Sequence, residues 1–276
     1  FFFQAEDGIR DRDVTGVQTW LFRSTVTSTM LLGTSVLVAP YRGPLNDARQ
    51  FTTVDVLSGG RLVLGIGEGW MAEEFRALGL DPATKGRRTV EAIEVFKRAW
   101  TDDVVAFDGE FYPFADVSMD PKPVQRPRPP IIYGGISPLG ARRAARRCDG
   151  FYPLFLDPFA EATRYRSHQA EIRRILDETG RDPATFTMMG AATVHLTDER
   201  SAVGPDGRRM ICTGTAEQIL EDLAAFAAEG YSLIVAKVVC PSGDVSELRD
   251  TVARLGAEVI PAAAPIEATG GWRPRL

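Results

Sequence analysis

Two stretches of sequence decide the fold: Leu31-Leu-Gly-Thr-Ser-Val-Leu-Val-Ala-Pro-Tyr-Arg42 and Leu57-Ser-Gly-Gly-Arg-Leu-Val-Leu-Gly-Ile-Gly-Glu-Gly-Trp70. Each contains an apolar run interrupted only by small residues, which is typical of a strand covered on both faces. Pro44 and the Ser58-Gly59-Gly60 turn predict the start and the end of a helix between them. The order strand, helix, strand predicts parallel strands joined by a right-handed crossover.

The rest of the chain continues this alternation. Apolar residues at helical spacing predict a helix over 88–100, and Thr215-Ala-Glu-Gln218 is a capping box that predicts the start of another. The pattern gives six strands in total, over 31–38, 61–66, 131–133, 150–155, 185–196 and 231–239, separated by helices over 44–58, 88–100, 138–147, 159–179, from 215, and 246–255.

Residues 101–130 interrupt the alternation with a long excursion rich in Asp, Gly and Pro. A loop of this length inside a compact domain is usually functional. Its apolar residues predict a short hairpin made of Val104–Phe107 and Glu110–Phe114. Before it, Asp55 and Arg61 bracket the Ser58-Gly-Gly turn, where we expect them to form local hydrogen bonds.

Composition limits the function classes. The chain has 276 residues, of which 44% are hydrophobic, with a net charge of −5, and this suits one large α/β domain without nucleic-acid or anionic-membrane partners. No apolar run approaches the ~20 residues that span a bilayer. Cys148, Cys212 and Cys240 fit neither a disulfide framework nor a metal site. We therefore expect buried, reduced thiols, no metal, and a cytoplasmic location.

The two opening stretches resemble the third and fourth strands of the luciferase-like flavin and deazaflavin oxidoreductases. The resemblance covers roughly residues 29–262 in order. It continues through Asp81-Pro82, Arg87-Arg-Thr-Val-Glu-Ala-Ile-Glu94, Pro121-Lys-Pro-Val-Gln125, Pro129-Pro-Ile-Ile-Tyr-Gly-Gly-Ile-Ser-Pro138 and Asp149-Gly150.

This resemblance implies a (β/α)8 TIM barrel of which the chain carries six strands, so the first two βα units are expected to be missing. The segment before Leu31 is too short for them, and residues 1–19 resemble translated sequencing-adapter sequence. We expect residues 1–24 to be a non-native or disordered leader, 25–262 an incomplete barrel, and 263–276 a flexible tail.

The resemblance also implies an activity. The implied activity is that of an oxidoreductase that uses reduced coenzyme F420 (a deazaflavin) or FMN. Such an enzyme transfers a hydride to a small organic substrate or monooxygenates it. The motifs at 121–125 and 134–135 are more similar to the F420 branch. The alternative is a catalytically impaired barrel fragment that binds cofactor weakly or not at all. Open sheet edges favour pairing with another chain, so we expect a homodimer or other self-association.

Three clusters follow predicted strands, at the carboxyl ends where barrel enzymes bind ligands. The first is Thr34-Ser35-Val36, where the resemblance implies a cis Ser35–Val36 peptide bulging against the back of the isoalloxazine ring. The alternative is an ordinary strand of small residues.

The second cluster is Gly67-Glu68-Gly69. Its glycines allow close approach of the backbone to the ribityl or phosphate chain of a cofactor, or else tight packing of strand against helix. Glu68 stands where some members of the family have an Arg that pairs with phosphate. Trp70 stands where some deazaflavin enzymes have a catalytic Glu.

The third cluster is Gly134-Gly135-Ile136-Ser137, which opens the helix beginning at Pro138. Free N–H groups and the positive end of a helix dipole attract phosphate. Alternatively, Ser137 is a simple N-cap.

No catalytic residue is identified in the sequence, because the polar groups that the second strand usually supplies are absent. His195, at the end of a predicted strand, is the one candidate we retain. His168 lies between apolar residues on a helix face and is interpreted as a packing or surface residue.

Overall fold

A computed structural model describes residues 2–3, 27–154, 162–204, 209–240 and 242–271. Its strands are β1 (Phe2–Phe3), β2 (Leu32–Gly33), β3 (Leu37–Val38), β4 (Leu62–Gly67), β5 (Val104–Phe107), β6 (Phe114–Ser118), β7 (Ile131–Gly134), β8 (Gly150–Tyr152), β9 (Thr187–Leu196), β10 (Thr213–Gly214) and β11 (Leu233–Val238). Its α-helices are α1 (Pro44–Ser58), α2 (Ala72–Ala77), α3 (Lys85–Thr101), α4 (Pro138–Arg147), α5 (Ala162–Glu178), α6 (Ala216–Ala228), α7 (Val245–Arg254) and α8 (Ile260–Ala263).

The chain divides into two compact units. The N-terminal unit contains the described residues 27–135 and 147–149, and the C-terminal unit contains the other described residues. Among the described helices, none combines the length and the apolar character needed to cross a membrane.

Strand β4 is the centre of the N-terminal unit. It pairs in parallel with β2, β3 and β7, and all of its residues are buried, as a strand covered on both faces requires. The register places Ile66 opposite Tyr133 and Gly67 opposite Gly134. The carboxyl ends of β4 and β7 therefore lie side by side.

Helices α1 and α3 form the aromatic core of this unit. Phe96 stacks on Trp100 with ring centroids 5.5 Å apart, and Phe51 meets Phe96 edge to face. The indole N–H of Trp100 donates to the carbonyl of Ala48. Helix α1 begins at Pro44 and ends before Gly59, whose φ of 70° is left-handed, so both predicted helix ends are confirmed.

Strand β9 is the centre of the C-terminal unit. It pairs in parallel with β8, β10 and β11, and α5 supplies buried apolar residues to this unit. His168 of α5 is buried and meets Phe151 edge to face at 5.6 Å, which confirms its interpretation as a packing residue.

The excursion 101–130 does contain a hairpin, but its second strand was predicted wrongly. Val104–Phe107 pairs in antiparallel fashion with Phe114–Ser118, not with 110–114. The carboxylate of Glu91 accepts the backbone N–H groups of Glu110, Phe111 and Tyr112. These groups are therefore engaged by α3, and the second strand begins only beyond them.

The two ends of the chain are described in part. In the segment 1–24, expected to be a non-native or disordered leader, Phe2 and Phe3 form β1 and pair in parallel with β11. Residues 4–24 lie outside the described residues. In the segment expected to be a flexible tail, Thr269 donates to the carbonyl of Ala228 at 2.6 Å. Residues 272–276 and the predicted start of α5 at 159 are not among the described residues.

Candidate cofactor site

The strand predicted over 31–38 is divided at Thr34–Val36 into β2 and β3. The Ser35–Val36 peptide is cis, at the position that the sequence resemblance implied. The hydroxyl of Thr34 donates to the carbonyl of Gly65 at 2.6 Å. The backbone N–H of Thr34 also donates to the carbonyl of Val63 at 3.3 Å, so the regular strand pairing is interrupted after Thr34, which both its backbone and its hydroxyl hold against β4.

The glycines of β4 and β7 face this segment. A Cβ atom built on Gly67 would lie 2.7 Å from Cγ2 of Val36, and one on Gly134 would lie 2.8 Å from its Cγ1. A Cβ on Gly65 would lie 1.9 Å from the carbonyl oxygen of Thr34. These glycines thus allow the Thr34–Val36 segment to pack against β4 and β7. The sequence had suggested close packing of strand against helix for Gly67, and the structure shows packing of strand against strand.

Gly135 and Gly69 differ from those glycines. A Cβ on Gly135 would meet only a ring carbon of Tyr133, at an ordinary 3.8 Å, so the space beside this backbone is open. Gly69 has a left-handed φ of 76°, and a Cβ there would lie 2.8 Å from Val38. Of the predicted glycines, Gly135 is the one with open space where a Cβ would lie.

Glu68 is held by a residue that sequence reasoning missed. The hydroxyl of Tyr133 donates a hydrogen bond to its carboxylate, while the Tyr133 side chain is fully buried. Ile66 and Tyr133 are register partners, so Glu68, two residues beyond Ile66, lies on the face that carries these side chains. The carboxylate is thereby fixed at the end of β4.

In the C-terminal unit, Ser137 caps helix α4. Its hydroxyl oxygen accepts the N–H of Gly140 at 3.0 Å, and its carbonyl accepts the N–H of Ala141 at 3.1 Å. Both Ile136 and Ser137 are exposed. The N-cap interpretation is thus realised, and because the cap engages only one N–H with its side chain, the end of the helix remains accessible to an anion.

A buried polar atom tests whether the Thr34–Val36 segment fits a flavin or deazaflavin. The Ser35 hydroxyl is buried and has no hydrogen-bond partner among the described residues. A buried hydroxyl without a partner is costly, and the ring systems of both cofactors carry carbonyl and N–H groups that would satisfy it. The unpartnered hydroxyl is therefore chemically compatible with a polar group of such a ring.

His195 lies at the end of β9, beside β10. The backbone N–H of His195 donates to the carbonyl of Cys212 at 3.0 Å, and the His195 side chain is half-buried. A hydrogen bond from Ser242 is the main cause that lowers the pKa of Glu247, and His195 adds a smaller contribution. The structure therefore gives His195 an acidic neighbour that the sequence analysis missed, because 52 residues separate the two.

A cavity of about 350 Å³ opens at the start of α1. Gly43, Pro44, Leu45, Asn46, Tyr112, Pro113 and Phe114 line it. None of the predicted cofactor residues takes part, so this cavity is distinct from the candidate site. No group of acidic, His and Cys side chains suited to a metal ion occurs within the described ranges.

Comparison with known proteins gives the family context. A family model described as luciferase-like monooxygenase matches residues 23–215, more than half of the chain. An FMNH(2)-dependent dimethylsulfone monooxygenase of Pseudomonas putida is 38% identical over 121 residues, covering 43% of this chain and 33% of the relative. The chain thus matches about a third of that relative's length. The protein of the same name from Pseudomonas fluorescens (strain Pf0-1) is 26% identical over 287 residues, covering 88% and 76%.

Solved structures show the same fold. Monooxygenase RslO1 from Streptomyces bottropensis superposes with a TM-score of 0.80 at 20% identity, over 90% of this chain and 83% of that one. An F420-dependent secondary alcohol dehydrogenase, in complex with an F420-acetone adduct, gives 0.73 at 20% identity, over 89% and 84%. The predicted fold class, an α/β barrel of the luciferase-like type, is confirmed.

Proposed function

Because the chain belongs to the luciferase-like monooxygenase family, we propose that it is an oxidoreductase that uses reduced FMN or coenzyme F420 to act on a small organic substrate. The family consists of enzymes, and its named relatives include both FMN-dependent and F420-dependent members. The observation that carries the proposal to this chain is the Thr34–Val36 segment. It holds a buried Ser35 hydroxyl that has no hydrogen-bond partner among the described residues.

Named residues would hold the cofactor. Within the N-terminal unit, the ring would lie against Thr34–Val36, and the open backbone of Gly135 would face a cofactor. In the C-terminal unit, Ile136 and Ser137 at the start of α4 are the residues proposed to bind a phosphate. When bound, the reduced cofactor supplies a hydride or activates oxygen, and the protein binds and orients it. Glu68, fixed by Tyr133, would exclude a second anion from the end of β4.

The sequence motifs and the sequence relatives favour different cofactors. Motifs at 121–125 and 134–135 favour F420, whereas the two dimethylsulfone monooxygenases with sequence similarity are FMNH(2)-dependent. We infer that FMN is the first cofactor to test and that dimethylsulfone is the first substrate. Monooxygenation would then be the reaction, with hydride transfer as the F420 counterpart.

The direct experiment is titration of the purified chain with FMN and with F420, followed by absorbance and by quenching of cofactor fluorescence. Saturable binding of one cofactor, with a shifted absorbance band, is the expected result. Absence of binding to both would contradict the proposal. Consumption of oxygen or of reduced cofactor, dependent on added substrate, then separates monooxygenation from hydride transfer.

Two substitutions of Ser137 test the phosphate position. Ser137→Asp retains an N-cap side chain but adds a negative charge that repels phosphate. Ser137→Ala removes the cap and should lower stability by about 1 kcal/mol. We expect the Asp variant to bind cofactor less tightly at unchanged melting temperature. Equal affinity in the wild type and the Asp variant would place the phosphate elsewhere.

The second candidate function is a catalytically impaired chain. It is favoured by Glu68 and Trp70, which stand where some members of the family have a phosphate-binding Arg and a catalytic Glu. His195 is the catalytic candidate we retain. This alternative would be supported if the chain binds FMN but oxidises reduced FMN only slowly and at the same rate with and without substrate. If turnover is found, His195→Gln should reduce it by about 10²–10⁴-fold if this histidine is a general acid or base, with unchanged cofactor affinity.

A further inference from the structure

We propose that Val36 is the positioning residue of the Thr34–Val36 segment, and that Gly67 and Gly134 are glycines because they form its seat. The packing part of this proposal is independent of any ligand. The positioning part rests on the proposed function, since it concerns how the segment meets the cofactor.

The seat is a patch of sheet without side chains. Gly67 and Gly134 are register partners on the neighbouring strands β4 and β7. The two methyl groups of Val36 face one glycine each, since Cγ2 is the atom nearest to a Cβ built on Gly67 and Cγ1 the atom nearest to a Cβ built on Gly134. Separations of 2.7 and 2.8 Å are closer than packed carbon atoms come.

Gly65 has a different partner and serves as the internal contrast. A Cβ there would lie 1.9 Å from the backbone oxygen of Thr34, whereas the nearest atom of Val36 would be 3.4 Å away. The requirement for glycine at position 65 is therefore imposed by backbone. At positions 67 and 134 it is imposed mainly by the side chain of Val36.

This arrangement fixes the segment in two directions. A β-branched side chain has restricted χ1 freedom, so a valine with both methyl groups seated on two strands cannot turn without moving its own backbone. The position of Ser35, the adjoining residue with the buried hydroxyl, follows from that of Val36. We infer that the seat determines where this segment meets the cofactor ring.

Paired size changes test the inference. Gly67→Ala and Gly134→Ala should each lower the melting temperature of the cofactor-free protein by about 2–12 °C and weaken FMN binding by about tenfold or more. Combining either with Val36→Ala removes the atoms that clash. The double variants should therefore recover most of the melting temperature that the glycine substitutions cost, but not the FMN affinity, because the side chain that positions the segment is gone.

Two controls use the same chain. Gly65→Ala should not be rescued by Val36→Ala, because its clash is with the Thr34 backbone. Gly135→Ala, with open space around its Cβ, should leave the melting temperature unchanged. If the wild type binds only F420, all of these affinities are measured with F420 instead of FMN.

Each remaining outcome decides one part. Tolerance of Gly67→Ala and Gly134→Ala, or a failure of Val36→Ala to restore their melting temperatures, would overturn the seat. Rescue of FMN affinity together with the melting temperature would show that Val36 is a packing residue only, and would overturn its positioning role. A wild type that binds neither cofactor would instead overturn the proposed function, while the melting temperatures would still test the seat.

Discussion

The phenolic hydroxyl of Tyr133 donates a hydrogen bond to the carboxylate of Glu68, joining the ends of the neighbouring strands β7 and β4. Tyr133 has no exposed surface, whereas Glu68 is half-buried. The partly exposed Glu68 carboxylate at the end of β4 is thus held by the buried Tyr133 side chain. This contact lies beside the glycine patch that seats Val36, because Tyr133 directly precedes Gly134.

Tyr133→Phe tests this contact. The ring remains to fill the core, so the loss should be that of one hydrogen bond to a charged group, about 1.5–3 kcal/mol, read as a lower melting temperature. Tyr41→Phe is the matched control, because Tyr41 donates to Glu74 at 2.8 Å in an exposed tyrosine–glutamate pair. A larger loss in the control would refute the importance of burial.

Glu91→Ala should loosen the tip of the hairpin. The carboxylate accepts three consecutive N–H groups, from Glu110 to Tyr112, and its removal should cost about 1–3 kcal/mol. Hydrogen exchange at the amides of Phe111 and Tyr112 should become faster. Glu94→Ala on the same helix removes only partly exposed ion pairs, which are worth about 0–1 kcal/mol, and should leave these amides protected.

Asp47 should make stability depend on pH in the direction opposite to that of most aspartates. Its side chain is buried, and burial raises its pKa even though Arg42 binds both oxygens and lowers it. A raised pKa means that the folded state holds the proton more tightly than the unfolded state. The ionised carboxylate therefore costs stability at neutral pH, and this cost disappears as the pH falls through the folded pKa to the ordinary aspartate value.

Asp47→Asn removes the titrating charge and keeps the shape. We expect the variant to be at least as stable as the wild type at neutral pH, with the difference in melting temperature closing as the pH is lowered. A variant that is less stable at neutral pH, with a gap that closes only on acidification, would show that the pair with Arg42 outweighs burial.

The three cysteines should differ in reactivity. Cys148 and Cys212 are buried and Cys240 is partly exposed, so the expectation of three buried thiols was wrong for Cys240. Burial raises the pKa of Cys212 to about 12, and thiolates are the reactive form. A disulfide reagent at mildly alkaline pH should therefore modify Cys240 alone in the native protein. Rapid labelling of the folded Cys240→Ser variant would show that Cys148 or Cys212 also reacts, and would contradict the prediction.

Much of the fold follows from local sequence. Pro44, Gly59 and the alternating apolar runs predicted the main strands and the limits of α1 and α4, because backbone restrictions and periodicity act over a few residues. The family, its cofactor class and the site of the cis peptide came from ordered motifs. The short elements α2 and β10 carry too little periodic signal, and they were missed.

Contacts between distant residues were decided only by the tertiary structure. Arg61 bonds locally to the Ser58 carbonyl, as expected, but the Asp55 carboxylate accepts from Val124 and Gln125, some 70 residues away. In the same way, the register of β4 against β7 decides that Gly67 and Gly134 receive Val36 and that Tyr133 reaches Glu68. A sequence specifies which residues favour strands and turns, but which glycine faces which side chain depends on strand pairing across loops of tens of residues, and local patterns do not encode that pairing.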